Sequence, residues 1–229
     1  MSGALEVMRG GLVVSCQAPP GSPLAGPAHL VALARAAEAG GAAGIRAEGV
    51  DSVAAIKQAV RVPVIGLLKR AVPGSDVYIT PELGDARDVA AAGADVVAVD
   101  ATLRARPGGA GVRDFADALD VPLLADVDSL EAGMAARAEG AAAVATTLAG
   151  YTGGGPVPDE PDVDLVRALA ERLDCPVIAE GRYGTPAQVR AAVEAGAFAV
   201  VVGTAITDAV ALTRRLAAAL EGGPGGGAG

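Results

Sequence analysis

Short runs of β-branched and other apolar residues alternate along the chain with Ala-rich stretches of helical periodicity. Eight apolar runs stand out: Leu12–Cys16, Ala42–Arg46, Val62–Leu68, Asp95–Asp100, Val121–Asp126, Ala142–Thr147, Cys175–Glu180 and Phe198–Gly203. Unbroken apolar runs of this length suit strands buried on both faces. Between them, Pro27–Ala39, Val50–Ala59, Pro81–Ala92, Gly111–Leu119, Ser129–Ala138, Asp162–Leu173 and Thr185–Ala195 read as helices, and Asp208–Leu220 as a last one. Strands that alternate with helices predict a parallel sheet with crossover connections.

A weak internal repeat narrows the choice of sheet. Gly41-Ala42, Gly93-Ala94, Gly140-Ala141 and Gly196-Ala197 each close an Ala-rich helix and lead into a strand. Glycine there suits a left-handed helix C-cap. The intervening strands open on Val62-Pro63, Val121-Pro122 and Cys175-Pro176, where no ladder donor is needed. The two entrances alternate, so the repeat unit is two βα modules, as in a (β/α)8 TIM barrel. That is the expected fold: one α/β domain over 1–221, followed by a flexible Gly-rich tail at 222–229. A doubly wound open sheet is the main alternative. It is disfavoured because no GxGxxG follows the first strand.

Composition removes several function classes. The net charge is −9 and aromatic residues make up 2% of the chain, so a nucleic-acid partner is not expected. His29 is the only histidine, which excludes a metal site built on a histidine pair. Cys16 and Cys175 are too few for a disulfide framework and suit a reducing compartment. No apolar run is long enough to span a membrane. A cytoplasmic protein with no membrane partner is expected.

In a barrel, chemistry sits where the strands end. Those ends carry Gln17, Arg46, Lys69, Asp100, Asp126, Thr146 with Thr147, and Glu180. Lys69 stands out because the chain has sixteen arginines and only two lysines. Lys57, the other lysine, falls on a solvated helix face. A lysine near apolar surroundings can lose its proton, whereas arginine cannot. Strands three and seven lie opposite each other in an eight-stranded barrel, which sets Lys69 across from Glu180. Two proton-transfer groups on opposite faces of one carbon suit racemisation or epimerisation. Gln17, Arg46, Asp126 and Thr147 would then hold the substrate. Gly181 and Arg182 after strand seven, with Gly203 and Thr204 after strand eight, suit a phosphate.

Taken in order, these residues resemble a known family. Ser15-Cys16-Gln17-Ala18, Gly44-Ile45-Arg46-Ala47, Lys69-Arg70, Val77-Tyr78-Ile79-Thr80-Pro81, Asp100-Ala101-Thr102, Ala125-Asp126, Thr146-Thr147-Leu148, Ala179-Glu180-Gly181-Arg182 and Val202-Gly203-Thr204-Ala205-Ile206-Thr207 are similar to the motifs of N-acetylmannosamine-6-phosphate 2-epimerases. The resemblance covers roughly 10–215. It implies a (β/α)8 barrel that interconverts N-acetylmannosamine 6-phosphate and N-acetylglucosamine 6-phosphate in amino-sugar and sialic acid catabolism.

 It implies that no metal or redox cofactor takes part, that Lys69 and Glu180 transfer the protons, and that Gln17, Arg46 and Asp126 contact the substrate. It also implies a homodimer. One residue departs from the pattern: the family commonly has an arginine after Ala-Ile-Thr, near the phosphate, and this chain has Asp208. Either Arg182 and backbone N–H groups carry the phosphate, or Asp208 turns away as a helix N-cap. Two rival readings remain at this stage. One is an aldolase that forms a Schiff base on Lys69. The other is a catalytically silent barrel that only binds a sugar phosphate, with Asp208 as its one hint.

Overall fold

The apolar runs pair in sequence order, each parallel to the next, and the last returns to the first, so the sheet closes into a barrel. The computed structural model describes residues 3–19 and 21–221. The strands are β1 (Leu12–Cys16), β2 (Gly44–Glu48), β3 (Val64–Leu67), β4 (Val96–Asp100), β5 (Leu123–Asp126), β6 (Ala143–Ala145), β7 (Val177–Ala179) and β8 (Ala199–Val202). The helices are α1 (Gly3–Val7), α2 (Pro27–Ala39), α3 (Val50–Ala59), α4 (Leu83–Ala91), α5 (Val112–Ala118), α6 (Leu130–Ala138), α7 (Val163–Arg172), α8 (Pro186–Glu194), α9 (Thr204–Thr207) and α10 (Ala209–Glu221). The expected (β/α)8 barrel is therefore the observed fold, and the open-sheet alternative falls. The stretch 222–229, read as a tail, lies outside the described residues. Among the described residues no helix is long and apolar enough to cross a membrane.

Side chains alternate in and out along each strand. Val14, Ile45, Val97, Val144, Val177 and Val200 point outward and pack under the helices. Val13, Ile65, Ala98, Leu124, Ile178 and Val201 point inward and fill the barrel. The same inward parity, carried past the strand ends, delivers the polar rim.

Both kinds of strand entrance have a hydrogen-bonding reason. Gly41, Gly93, Gly140 and Gly196 all have φ between 94° and 104°. Each allows a Schellman turn, in which the next residue's N–H reaches back into the helix: Ala42 to the Ala37 carbonyl at 3.0 Å, and Ala141 to that of Ala136 at 3.0 Å. At the other entrances the Pro63, Pro122 and Pro176 carbonyls accept from Ile45, Val97 and Val144 at 2.9–3.0 Å, although proline donates nothing. The Schellman bond also corrects one boundary. Ala42 is still closing α2, so β2 starts at Gly44 rather than Ala42 and runs on to Glu48.

The short helix α1 was not visible in the sequence pattern, and it closes the amino end of the barrel. Leu5 and Met8 are fully buried against the inward-facing residues. A Cβ on Gly44 would come within 2.8 Å of the Met8 sulfur, so this glycine makes room for the plug. Met8→Ala would leave a void that the surrounding strands cannot collapse into. A loss of about 2–5 kcal/mol is expected, seen as a lower urea midpoint with an unchanged slope.

Candidate active site

The rim at the carboxyl ends of the strands surrounds a cavity of about 750 Å³ lined by Gln17, Arg46, Glu48, Lys69, Thr147 and Glu180, among others. Arg46 projects inward from β2 and is 1% exposed. Its two terminal nitrogens donate to both oxygens of Asp126, Nη1 at 3.1 Å and Nη2 at 2.5 Å. Nη1 also lies 3.0 Å from Glu180 Oε2. One guanidinium therefore bridges carboxylates on two other strands, a planar geometry that lysine cannot supply. Thr147 Oγ sits 2.7 Å from Asp126 Oδ1 and 3.1 Å from Glu180 Oε2, tying the same two groups together.

Burial works against the charge on Arg46, but Asp126 and Glu180 outweigh it and hold the guanidinium above its ordinary range. Glu180 is pushed up from the usual carboxylate value by burial, against the pull of Arg46. Only Oε2 is taken by this network; no hydrogen bond among the described residues uses Oε1, and the residue lines the cavity.

Lys69 leaves the end of β3 and lies open to the cavity mouth. Its Nζ donates to Gln17 Oε1 at 2.7 Å, and Gln17 Nε2 donates to Ser15 Oγ at 2.9 Å. Ser15 thereby fixes which end of the Gln17 amide meets the lysine. The protein packed around the ammonium lowers the Lys69 pKa, with the nearby Arg46 charge as the second cause. A lowered lysine and a raised glutamate are the pair of shifts that acid–base chemistry near neutral pH requires. Lys57, by contrast, pairs with Asp95 at the amino end of β4, at 2.7 Å.

Not every rim candidate faces the cavity. Asp126 is wholly buried beneath Arg46, with both oxygens occupied, and does not line the cavity. In this arrangement Asp126 reaches the cavity through the two groups it holds, Arg46 and Thr147. Asp100 is likewise turned aside. Its carboxylate accepts from Thr102 at 2.7 Å and Arg104 at 2.5 Å.

The phosphate candidates divide in the same way. Gly203 and Thr204 open the short turn α9 at the cavity wall. Gly181 (φ 104°) and Arg182 (φ 63°) make a left-handed turn after β7. Arg182 also lines the cavity, but its Nε donates to the Glu160 carbonyl at 2.8 Å and its Nη1 to the Ala149 carbonyl at 2.6 Å. Its guanidinium stacks 5.2 Å from the centre of the Tyr151 ring. Arg182 thus pins the loop 150–161 through two of its five N–H donors. Asp208 behaves as an N-cap: its Oδ1 accepts from the Ala211 N–H at 2.9 Å, at the start of α10.

Two features of the site were missed in the sequence. Glu48 lines the cavity and stands two residues beyond Arg46 on β2, with the same inward parity. That parity was available as a signal, but β2 had been ended at Arg46. The second is a hairpin between Lys69 and Thr80. Lys69 and Ile79 form an antiparallel bridge, and the Arg70 N–H donates to the Tyr78 carbonyl at 3.1 Å. Thr80, at φ 46°, is held by its hydroxyl on the Ala98 carbonyl at 2.7 Å. This hairpin places Tyr78 on the cavity wall.

The sequence comparisons agree on one family. A family model described as "Putative N-acetylmannosamine-6-phosphate epimerase" matches residues 30–222. The chain is 50% identical over 212 residues to a Cutibacterium acnes protein named "Putative N-acetylmannosamine-6-phosphate 2-epimerase", covering 90% of this chain and 92% of that one. A Photobacterium profundum protein of the same name is 47% identical over 207 residues, covering 89% and 86%. Among solved structures, the N-acetylmannosamine-6-phosphate 2-epimerase from Clostridium perfringens superposes with a TM-score of 0.91 at 38% identity, covering 94% of this chain and 95% of that one.

Proposed function

The chain belongs to the N-acetylmannosamine-6-phosphate epimerase family, and from that membership we propose that it inverts C2 of N-acetylmannosamine 6-phosphate, with Lys69 and Glu180 moving the protons. The observation that carries the assignment of roles is the Arg46 bridge. It holds Glu180 on one wall with one oxygen free, while Gln17 holds the Lys69 amine on the opposite wall.

The C2 hydrogen is acidic only when C1 is an aldehyde, so the reacting form is the open chain. One of the two groups takes the C2 proton. The bonding pair moves into an enolate whose charge collects on O1, in the field of Arg46 and Lys69. The other group returns a proton to the opposite face of C2, and the acetamido group ends inverted. Asp126 and Thr147 are positioning residues in this scheme, because they set Arg46 and Glu180. Gly203, Thr204 and the turn at Gly181 are the proposed phosphate contacts, with Arg182 shaping the loop beside them. The cytoplasm is the proposed compartment, where a sugar phosphate dianion, which crosses no bilayer unaided, is retained.

Proton NMR in D₂O with N-acetylmannosamine 6-phosphate tests the reading. The expected result is N-acetylglucosamine 6-phosphate with deuterium at C2. Binding of the sugar without C2 exchange would show a silent barrel. Borohydride trapping of the sugar on Lys69 would show Schiff-base chemistry.

A further inference from the structure

Opening the sugar ring needs a group of its own. A pyranose is a cyclic hemiacetal, and opening it moves one proton from O1 to O5 while the C1–O5 bond breaks. Both oxygens are bonded to C1, so a single carboxylate beside C1 can serve both. C1 is bonded in turn to C2, so this carboxylate must adjoin the groups that work on C2.

We infer that Glu48 is a further catalytic residue, the carboxylate that opens and recloses the ring of the sugar phosphate. The inference rests on the epimerase reading. Glu48 lines the cavity. Its Oε1 accepts the backbone N–H of Lys69 at 3.3 Å, and its charge is among those felt by the Lys69 amine assigned to C2. No hydrogen bond among the described residues uses its Oε2. The other acidic groups have other tasks: Asp126 is buried with both oxygens on Arg46, Glu180 is assigned to C2 and held through Oε2 by Arg46 and Thr147, and Asp208 caps α10 through Oδ1.

The step balances without a co-reactant. Glu48 takes the O1 proton, and the O1–H bonding pair becomes the second bond of the C1 carbonyl. The C1–O5 pair leaves with O5, and Glu48 delivers the same proton to O5. The carboxylate ends as it began. Reversal on the product closes the ring.

Glu48→Gln tests this, because it keeps an oxygen for the Lys69 N–H and removes the base. Two measurements are made on wild type and variant: exchange between the α and β anomers of N-acetylglucosamine 6-phosphate by NMR, and the isotope effect on kcat with substrate deuterated at C2. Wild type is expected to accelerate anomer exchange, and the variant to lose that acceleration by on the order of 10²–10⁴-fold. Ring opening then limits turnover, so the isotope effect of the variant falls toward one. A merely structural role would slow the C2 step and leave a full isotope effect. Anomer exchange unchanged in the variant, or a full isotope effect alongside a reduced kcat, would overturn the inference. If the wild type accelerates no anomer exchange yet epimerises, the inference also fails. If it neither epimerises nor exchanges C2, the epimerase reading itself has failed.

Discussion

Lys69→Met is expected to lower kcat by on the order of 10²–10⁴-fold, the range for loss of one acid–base group, with the fold intact. The side chain lies at the open cavity mouth, so methionine of similar length leaves the core untouched. Its melting transition should therefore stay within about 0.5 kcal/mol of wild type. Lys69→Arg should be equally slow, because a guanidinium keeps its proton throughout the working pH range. The pH profile supplies a second check. Burial lowers Lys69 from 10.5 and raises Glu180 from 4.5, so both limits of the active range move inward. The expected kcat/KM is a bell that falls on the acid side above pH 4.5 and on the alkaline side below pH 10.5. These limits belong to the coupled pair rather than to either residue alone. Glu180→Gln should be slow as well and lose one limb. Turnover of Lys69→Met within a few-fold of wild type would remove Lys69 from the mechanism.

The barrel was legible because its signals are local and repeated. Apolar runs bounded by Gly-Ala or X-Pro recur along the chain, and each entrance has its own hydrogen-bonding reason. The features that were missed depend on contacts distant in sequence. The helix α1 is too short to show a period and exists because Leu5 and Met8 fill the barrel floor. Glu48 was missed because Ala42 looks like strand but completes the turn that ends α2, so the strand starts later and runs on to Glu48. The burial of Asp126 was hidden for a related reason. A polar residue at a strand end points into the barrel, but whether it meets solvent depends on what lies above it, and here that is Arg46. The residue types of the candidate site were thus legible in the sequence, while its layering required the packed side chains.

That layering makes Arg46 the position where stability and catalysis meet. Arg46→Met is expected to destabilise the protein by about 3–5 kcal/mol, the usual result of removing one partner from a buried ion pair. Asp126 would keep Thr147 but lose both guanidinium bonds while remaining out of water. Arg46→Lys should rescue little, because one ammonium cannot reach two carboxylates in the fork geometry. Replacing both partners separates the two roles. Arg46→Met with Asp126→Leu removes the unpaired charge together with its partner, and such exchanges are often neutral for stability. The double variant should therefore recover most of the lost urea midpoint. Its turnover should stay low, because Glu180 has lost the cation that holds it. Recovery of both would mean that the bridge serves only the fold. A loss below about 1 kcal/mol in Arg46→Met would mean that Asp126 sheds its charge or finds water when the arginine leaves.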